Sequence, residues 1–177
     1  MTTTLTDLLA EYDRSLAYTA SLIGGLSDEQ ILWRPHADSS AIGWHLGHQA
    51  VVAHFMIRNL TAAEPSPDPE LDALMDSATA ERDRGDLPDV PRILAYREAI
   101  AERVHHWIGR IDEGKTGAPN QLRMIAGNLM TAVVNHEYQH STWIGEVRER
   151  DHGLDLPPAA ESPLLTVVDG YTILRTS

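Results

Sequence analysis

Two short segments hold the residues with the clearest chemical potential: His136-Glu137-Tyr138-Gln139-His140 and Trp44-His45-Leu46-Gly47-His48. Four positions apart, His136 and His140 differ by about 40° around a helix and share one face. Two imidazoles held that way clamp a divalent transition ion, and neutral imidazole nitrogen suits zinc, iron, nickel and copper. A pair fills only part of a coordination sphere, so the second segment is the natural source of a third ligand. On a helix His45 and His48 stand about 60° apart and can face one side, whereas His54 lies about 120° from His48. If the two helices pack side by side, His48 completes a three-nitrogen site with His136 and His140. Three protein ligands leave positions open for water or substrate, as in catalytic rather than closed structural sites. The plain alternative is two surface or core histidines that happen to share a face, in a chain with nine of them.

Composition narrows the chemistry. The chain has 177 residues, enough for one domain with a sizeable core, and 23% of them are charged, which argues against a disordered or fibrous class. A net charge of −12 supplies no basic stripe for phosphates and none for an anionic bilayer, so neither nucleic acid nor membrane is an expected partner. There is no cysteine, hence no disulfide, no thiolate ligand and no cysteine nucleophile; any metal is held by nitrogen and oxygen. The opening Met1-Thr2-Thr3-Thr4-Leu5 lacks the basic and apolar regions of a signal peptide, and no window has the length of an apolar membrane span. A cytoplasmic location is expected. Thirteen arginines against one lysine point to a GC-rich bacterial genome.

The elements that must position the histidines are helical. Apolar periodicity predicts a first helix over 6–23, ended by Gly24-Gly25, and Ser27 with Gln30 three residues on forms a capping box for a short turn. A second helix is expected from a cap at Ser39 or Ser40 to about residue 60. Gly43 and Gly47 weaken it by roughly 1 kcal/mol each relative to alanine, which implies close approach by another helix or a ligand. Residues 62–91 are acidic and proline-rich and read as a long solvated connection, with a short helix near 71–80 and the potential to act as a lid. The third helix opens at Pro91 and runs to about 111; the fourth, capped near Asn120, runs over 121–150 until Asp151-His152-Gly153. In the tail, Asp169-Gly170 between β-branched residues predicts a hairpin, with a short helix as the alternative. The result is an all-α four-helix bundle with one long crossover, a single domain over 1–177 with the bundle at 5–150 and a tail at 151–177.

The segment Ser40-Ala41-Ile42-Gly43-Trp44-His45-Leu46-Gly47-His48, taken with His136-Glu137-Tyr138-Gln139-His140, resembles the DinB-like (YfiT-like) family of metal-binding four-helix bundles, which includes mycothiol and bacillithiol S-transferases. Both segments also look like the N-terminal helical domain of the sulfoxide synthases of ergothioneine biosynthesis. The resemblance covers roughly residues 5–150, and Leu26-Ser27-Asp28-Glu29-Gln30 and Trp33-Arg34-Pro35 fit it as well. It implies a divalent metal (zinc, iron or nickel) on His48, His136 and His140. His45 would act as a group outside the ligand set, orienting a ligand or moving protons, or would simply be packed. The resemblance further implies a small-molecule substrate, a low-molecular-weight thiol such as mycothiol or bacillithiol, and pairing into a homodimer. The additional catalytic domain of the sulfoxide synthases is missing, so their full reaction does not carry over.

Three functional classes follow: a thiol-dependent transferase or isomerase acting on an electrophile, iron-dependent oxygen chemistry or zinc hydrolysis at the same site, and a non-catalytic metal- or ligand-binding bundle. The letters His-Glu-x-x-His also belong to zinc proteases, but Glu137 points about 100° away from His136, and hydrolysis needs that carboxylate at the metal-bound water. Among the four tryptophans, read first as core or pocket wall, Trp44 and Trp143 are the candidates for touching a substrate. Arg34 and Arg123 are candidates for a substrate carboxylate, with surface roles as the alternative.

Overall fold

The computed structural model describes residues 3–60 and 64–175; the ends of the chain and residues 61–63, which include the start of the predicted crossover, lie outside it. Helix α1 spans Leu5–Ile23, α2 Asp28–Leu32, α3 Ile42–Arg58, α4 Pro69–Leu74, α5 Val90–Asp112 and α6 Pro119–Glu146. Strands β1 (Leu165–Val168) and β2 (Tyr171–Leu174) close the tail. The four long helices form the expected all-α bundle: α1 lies mainly on α6, α3 on α5, and α3 also faces α6.

Local chemistry explains most boundaries. Thr4 caps α1 reciprocally with Asp7, whose backbone N–H donates to the Thr4 hydroxyl while the Thr4 N–H donates to the Asp7 carboxylate. Ser27 and Gln30 form the same box at α2. The expected cap of the histidine-bearing α3 is corrected: its N-cap is Ala41, which makes no side-chain bond. Ser39 Oγ is committed to the His36 backbone and Ser40 Oγ accepts from Arg84, so neither hydroxyl is free to cap. Asn120 does not cap α6 either; Ala118 at φ 50° is the N-cap and Pro119 opens the helix. At its other end α6 passes into a π turn, Val147–Asp151, from which Arg148 donates to the carbonyls of Leu22 and Gly24. Asp169 and Gly170 both take positive φ, the two-residue turn that matches strand twist, so the tail is a hairpin and not a helix. Leu174 N donates to Asn135 Oδ1 on α6 and ties the hairpin beside the second histidine segment.

The central element is α3, buried at every residue from Ile42 to Ala50. Its glycines permit this. A Cβ on Gly43 would lie 3.1 Å from Leu32 Cδ2, and one on Gly47 would lie 2.6 Å from the Met75 sulfur. The crossover is therefore no free solvated strap: Leu71 and Met75 are fully buried, and α4 is pinned to α5 by Asp68 to Arg92 at 2.9 and 3.0 Å and by the Tyr96 hydroxyl to Asp72. Among the described residues, no helix is long and apolar enough to cross a membrane.

Candidate metal centre

Helices α3 and α6 bring the two histidine segments together. His48, His136 and His140 each offer one ring nitrogen, and these atoms lie within 4.8 Å of one another. Ring centroids stand 5.1 Å apart for His48 and His136, 5.0 Å for His48 and His140, and 4.4 Å for His136 and His140. His48 Nδ1 is 2.7 Å from the Met75 carbonyl oxygen. A carbonyl only accepts, so Nδ1 carries the hydrogen and Nε2 keeps its lone pair for a ligand. His140 Nδ1 is 2.8 Å from His45 Nδ1, so one of these rings donates to the other. With His140 as donor, its Nε2 is likewise free to ligate. Such outer hydrogen bonds hold ligand imidazoles in tautomer and orientation. Three neutral imidazoles, two of them with anchored rear nitrogens, fit a borderline divalent ion such as zinc or iron(II). His54, buried beside Asp72 and Met75, is not part of this cluster.

Burial keeps the rings neutral. It pushes His136 down to about 4, helped by the neighbouring His48, and His45 down to about 3, helped by His48, Arg84 and His136. His140 is displaced further, again mainly by burial and then by the other rings; in His48 burial outweighs the opposing Met75 carbonyl. At neutral pH the site therefore presents lone pairs without first releasing protons. The sign for stability follows. Below the ordinary histidine value of about 6.5, the unfolded chain takes up protons that the folded chain refuses, so stability falls as pH falls. The metal-free protein is expected to lose stability from pH 6.5 down to about 4, with the loss beginning above the range where carboxylates titrate. Urea midpoints of the metal-free protein at pH 7 and pH 5 check this; equal midpoints contradict it.

Glu137 does not join the histidines. It is 2% exposed, and its Oε1 accepts from Arg97 Nη2 at 2.7 Å and from Thr19 Oγ1 at 2.9 Å. Arg97 also donates to the Leu46 carbonyl at 2.7 Å and to Gln49 Oε1 at 2.9 Å. The glutamate of His-Glu-x-x-His is thus an interior tie between helices, turned away from any water on the site.

Two hollows flank the cluster, beside a third of about 400 Å³ that His48 lines with His54, Asp72 and Met75. One, of about 430 Å³, opens on His45, His48 and His140 and is walled by Trp44, Trp143, Ser40 and Arg84. Trp44 stacks on His48 with centroids 4.5 Å apart at 12°, and the Arg84 guanidinium lies 3.6 Å over the Trp44 ring. Trp143 meets His140 edge-on at 4.8 Å. The other, of about 510 Å³, opens on His136 and is walled by Met56, Gln139, Val168, Tyr171 and Ile173. Arg34 and Arg123 do not reach the cluster. Arg34 donates to the backbone carbonyls of Ala37, Ser39 and Glu81, and Arg123 lines a separate hollow with Thr3 and Met124. The arginine at the site is Arg84, which sequence reasoning missed because it sits in the stretch read as solvated. The Met75 carbonyl was missed too, since a backbone contact leaves no residue-type signal.

A comparison with curated proteins returned no match. The model of the DinB superfamily matches residues 11–144. Since that span reaches into all four long helices and contains both histidine segments, the chain belongs to the DinB superfamily.

Proposed function

We propose that this protein is a divalent-metal-dependent enzyme that joins a small-molecule thiol, of the mycothiol or bacillithiol kind, to a small electrophile. The observation that carries the reading is the convergence of three neutral imidazoles at a point flanked by hollows large enough for small molecules. His48, His136 and His140 would hold the ion, and His45 would fix the ring of His140. A divalent ion bound there would lower the pKa of a thiol and supply a thiolate at neutral pH. Trp44 and Trp143 wall the first hollow together with Arg84, whose guanidinium stacks on Trp44 and is held by the Thr79 carbonyl, the Ser40 hydroxyl and Glu81. In the transfer a C–S bond forms as the electrophile's bond to its leaving group breaks, and the thiol proton passes to solvent. An isomerase would add the same thiol and expel it again. The absence of cysteine is compatible with this, because the sulfur arrives with the small molecule. Hydrolysis of the zinc-protease kind loses support, since the position of Glu137 removes its general base.

The test is metal analysis of protein purified without a histidine tag, followed by thiol-dependent loss of chlorodinitrobenzene with that metal restored. Turnover that needs both thiol and metal and disappears in His48→Ala is the expected result. Iron with oxygen uptake would move the reading to oxygen chemistry. A tightly held metal with no turnover for any thiol supports a non-catalytic binding bundle.

A further inference from the structure

We infer that Gly47 and the Met75 backbone carbonyl form a positioning pair that sets the metal affinity of the three-histidine site. The inference rests on the reading that His48, His136 and His140 hold the ion, and not on the transferase chemistry. Gly47 directly precedes His48 on α3, and Met75 directly follows α4 in the crossover. The Met75 N–H closes α4 onto the Leu71 carbonyl at 3.0 Å. Its own carbonyl, past the end of the helix, is left without an intrahelical donor and accepts from His48 Nδ1 at 2.7 Å.

That contact depends on position 47 leaving room for the Met75 side chain, which lies against Gly47. A Cβ at position 47 would stand 2.6 Å from Met75 Cε and Sδ and 2.8 Å from Cγ, distances that force a shift. Met75 is fully buried, which restricts where its side chain can go. The α4 segment cannot easily retreat as a whole, because Asp68 is bound twice by Arg92 and Asp72 accepts from the Tyr96 hydroxyl. Displacement therefore falls on the residues around Met75, where the carbonyl that orients His48 resides. Losing it frees the ring to rotate and to place its hydrogen on Nε2, the nitrogen needed for the ion.

Gly47→Ala is expected to weaken zinc binding by about 10- to 100-fold, read by competition with a chromophoric chelator. Alanine is the better helix former, so a loss points to the Met75 contact rather than to α3 itself. Met75→Ala alone should bind nearly as the parent does, because the carbonyl is backbone. Gly47→Ala with Met75→Ala should recover most of the affinity, the shorter side chain leaving room at position 47. Nitrogen-15 NMR of the metal-free parent should find the His48 hydrogen on Nδ1, a reading that survives even if Gly47→Ala does not fold. Unchanged affinity in Gly47→Ala, no recovery in the double variant, or a hydrogen on Nε2 in the parent each overturns the inference. A parent that binds no zinc, iron or nickel overturns it along with the metal reading. A parent that binds metal without thiol turnover sinks only the transferase.

Discussion

Arg97→Leu is expected to lower folding stability by about 3–5 kcal/mol, the range for breaking a buried ion pair from one side. Arg97 is 9% exposed and Glu137 only 2%, so neither charge has water to fall back on. Among the described residues, removing the guanidinium leaves the buried carboxylate with only the neutral Thr19 hydroxyl as a side-chain donor, and takes the side-chain donor from the Leu46 carbonyl and from Gln49 Oε1. The cost reaches beyond the pair, because the network joins α1 through Thr19, α3 through Gln49, α5 through Arg97 and α6 through Glu137. Gln49 Nε2 also donates to the Glu137 carbonyl at 2.8 Å, fixing α6 against α3 one residue from each of the ligand histidines His48 and His136. Metal affinity should therefore fall together with stability. Replacing both members, as in Arg97→Leu with Glu137→Leu, should restore much of the loss, since apolar pairs of similar volume often match buried ion pairs. Urea denaturation of the three variants decides the point. A single variant within about 1 kcal/mol of the parent would show that water reaches the pair and that the network holds nothing.

The same network marks where sequence reading ends. The long helices were legible because each carries its own apolar periodicity, and the hairpin turn because Asp169-Gly170 suits two successive positive φ values. The histidines were legible because ligand spacing on a helix is local. The partners that hold them are not local. Met75 meets His48 across the crossover, and Arg97 meets Glu137 from another helix. No periodicity records such pairs, and the acidic, proline-rich composition of the crossover pointed toward solvent while Leu71 and Met75 anchored it inward. Ser39 and Ser40 misled for a related reason: good cap residues were available, but tertiary partners claimed their hydroxyls first. Even Glu137 was half readable. Its direction around the helix set it apart from the histidines, yet only the fold supplied the arginine that receives it.

His140→Ala is expected to reduce metal affinity by at least about 100-fold, beyond the roughly 10- to 100-fold typical of groups that only orient a ligand. Among the described residues, His140 is in ring contact with both other members of the cluster, with His45 and with Trp143. Its removal leaves a two-nitrogen clamp and also strands His45 Nδ1 without a partner. His45→Gln, which keeps a polar group near His140 Nδ1, should lose less, and that ordering separates a ligand from the residue behind it. The loss should also be visible as stability. An ion that binds only the folded chain adds about 2.7 kcal/mol when present at a hundred times its dissociation constant, and a hundredfold weaker site at the same concentration gives up most of that. Thermal melts with and without zinc should therefore shift strongly in the parent, less in His45→Gln and hardly at all in His140→Ala. The metal-free melts calibrate the comparison: removing a ring that is only 4% exposed has its own packing cost, and only the zinc-induced increment reports coordination. Should His140→Ala keep the parent's increment, the ion would have to sit elsewhere, and the convergence of the three imidazoles would be a matter of packing.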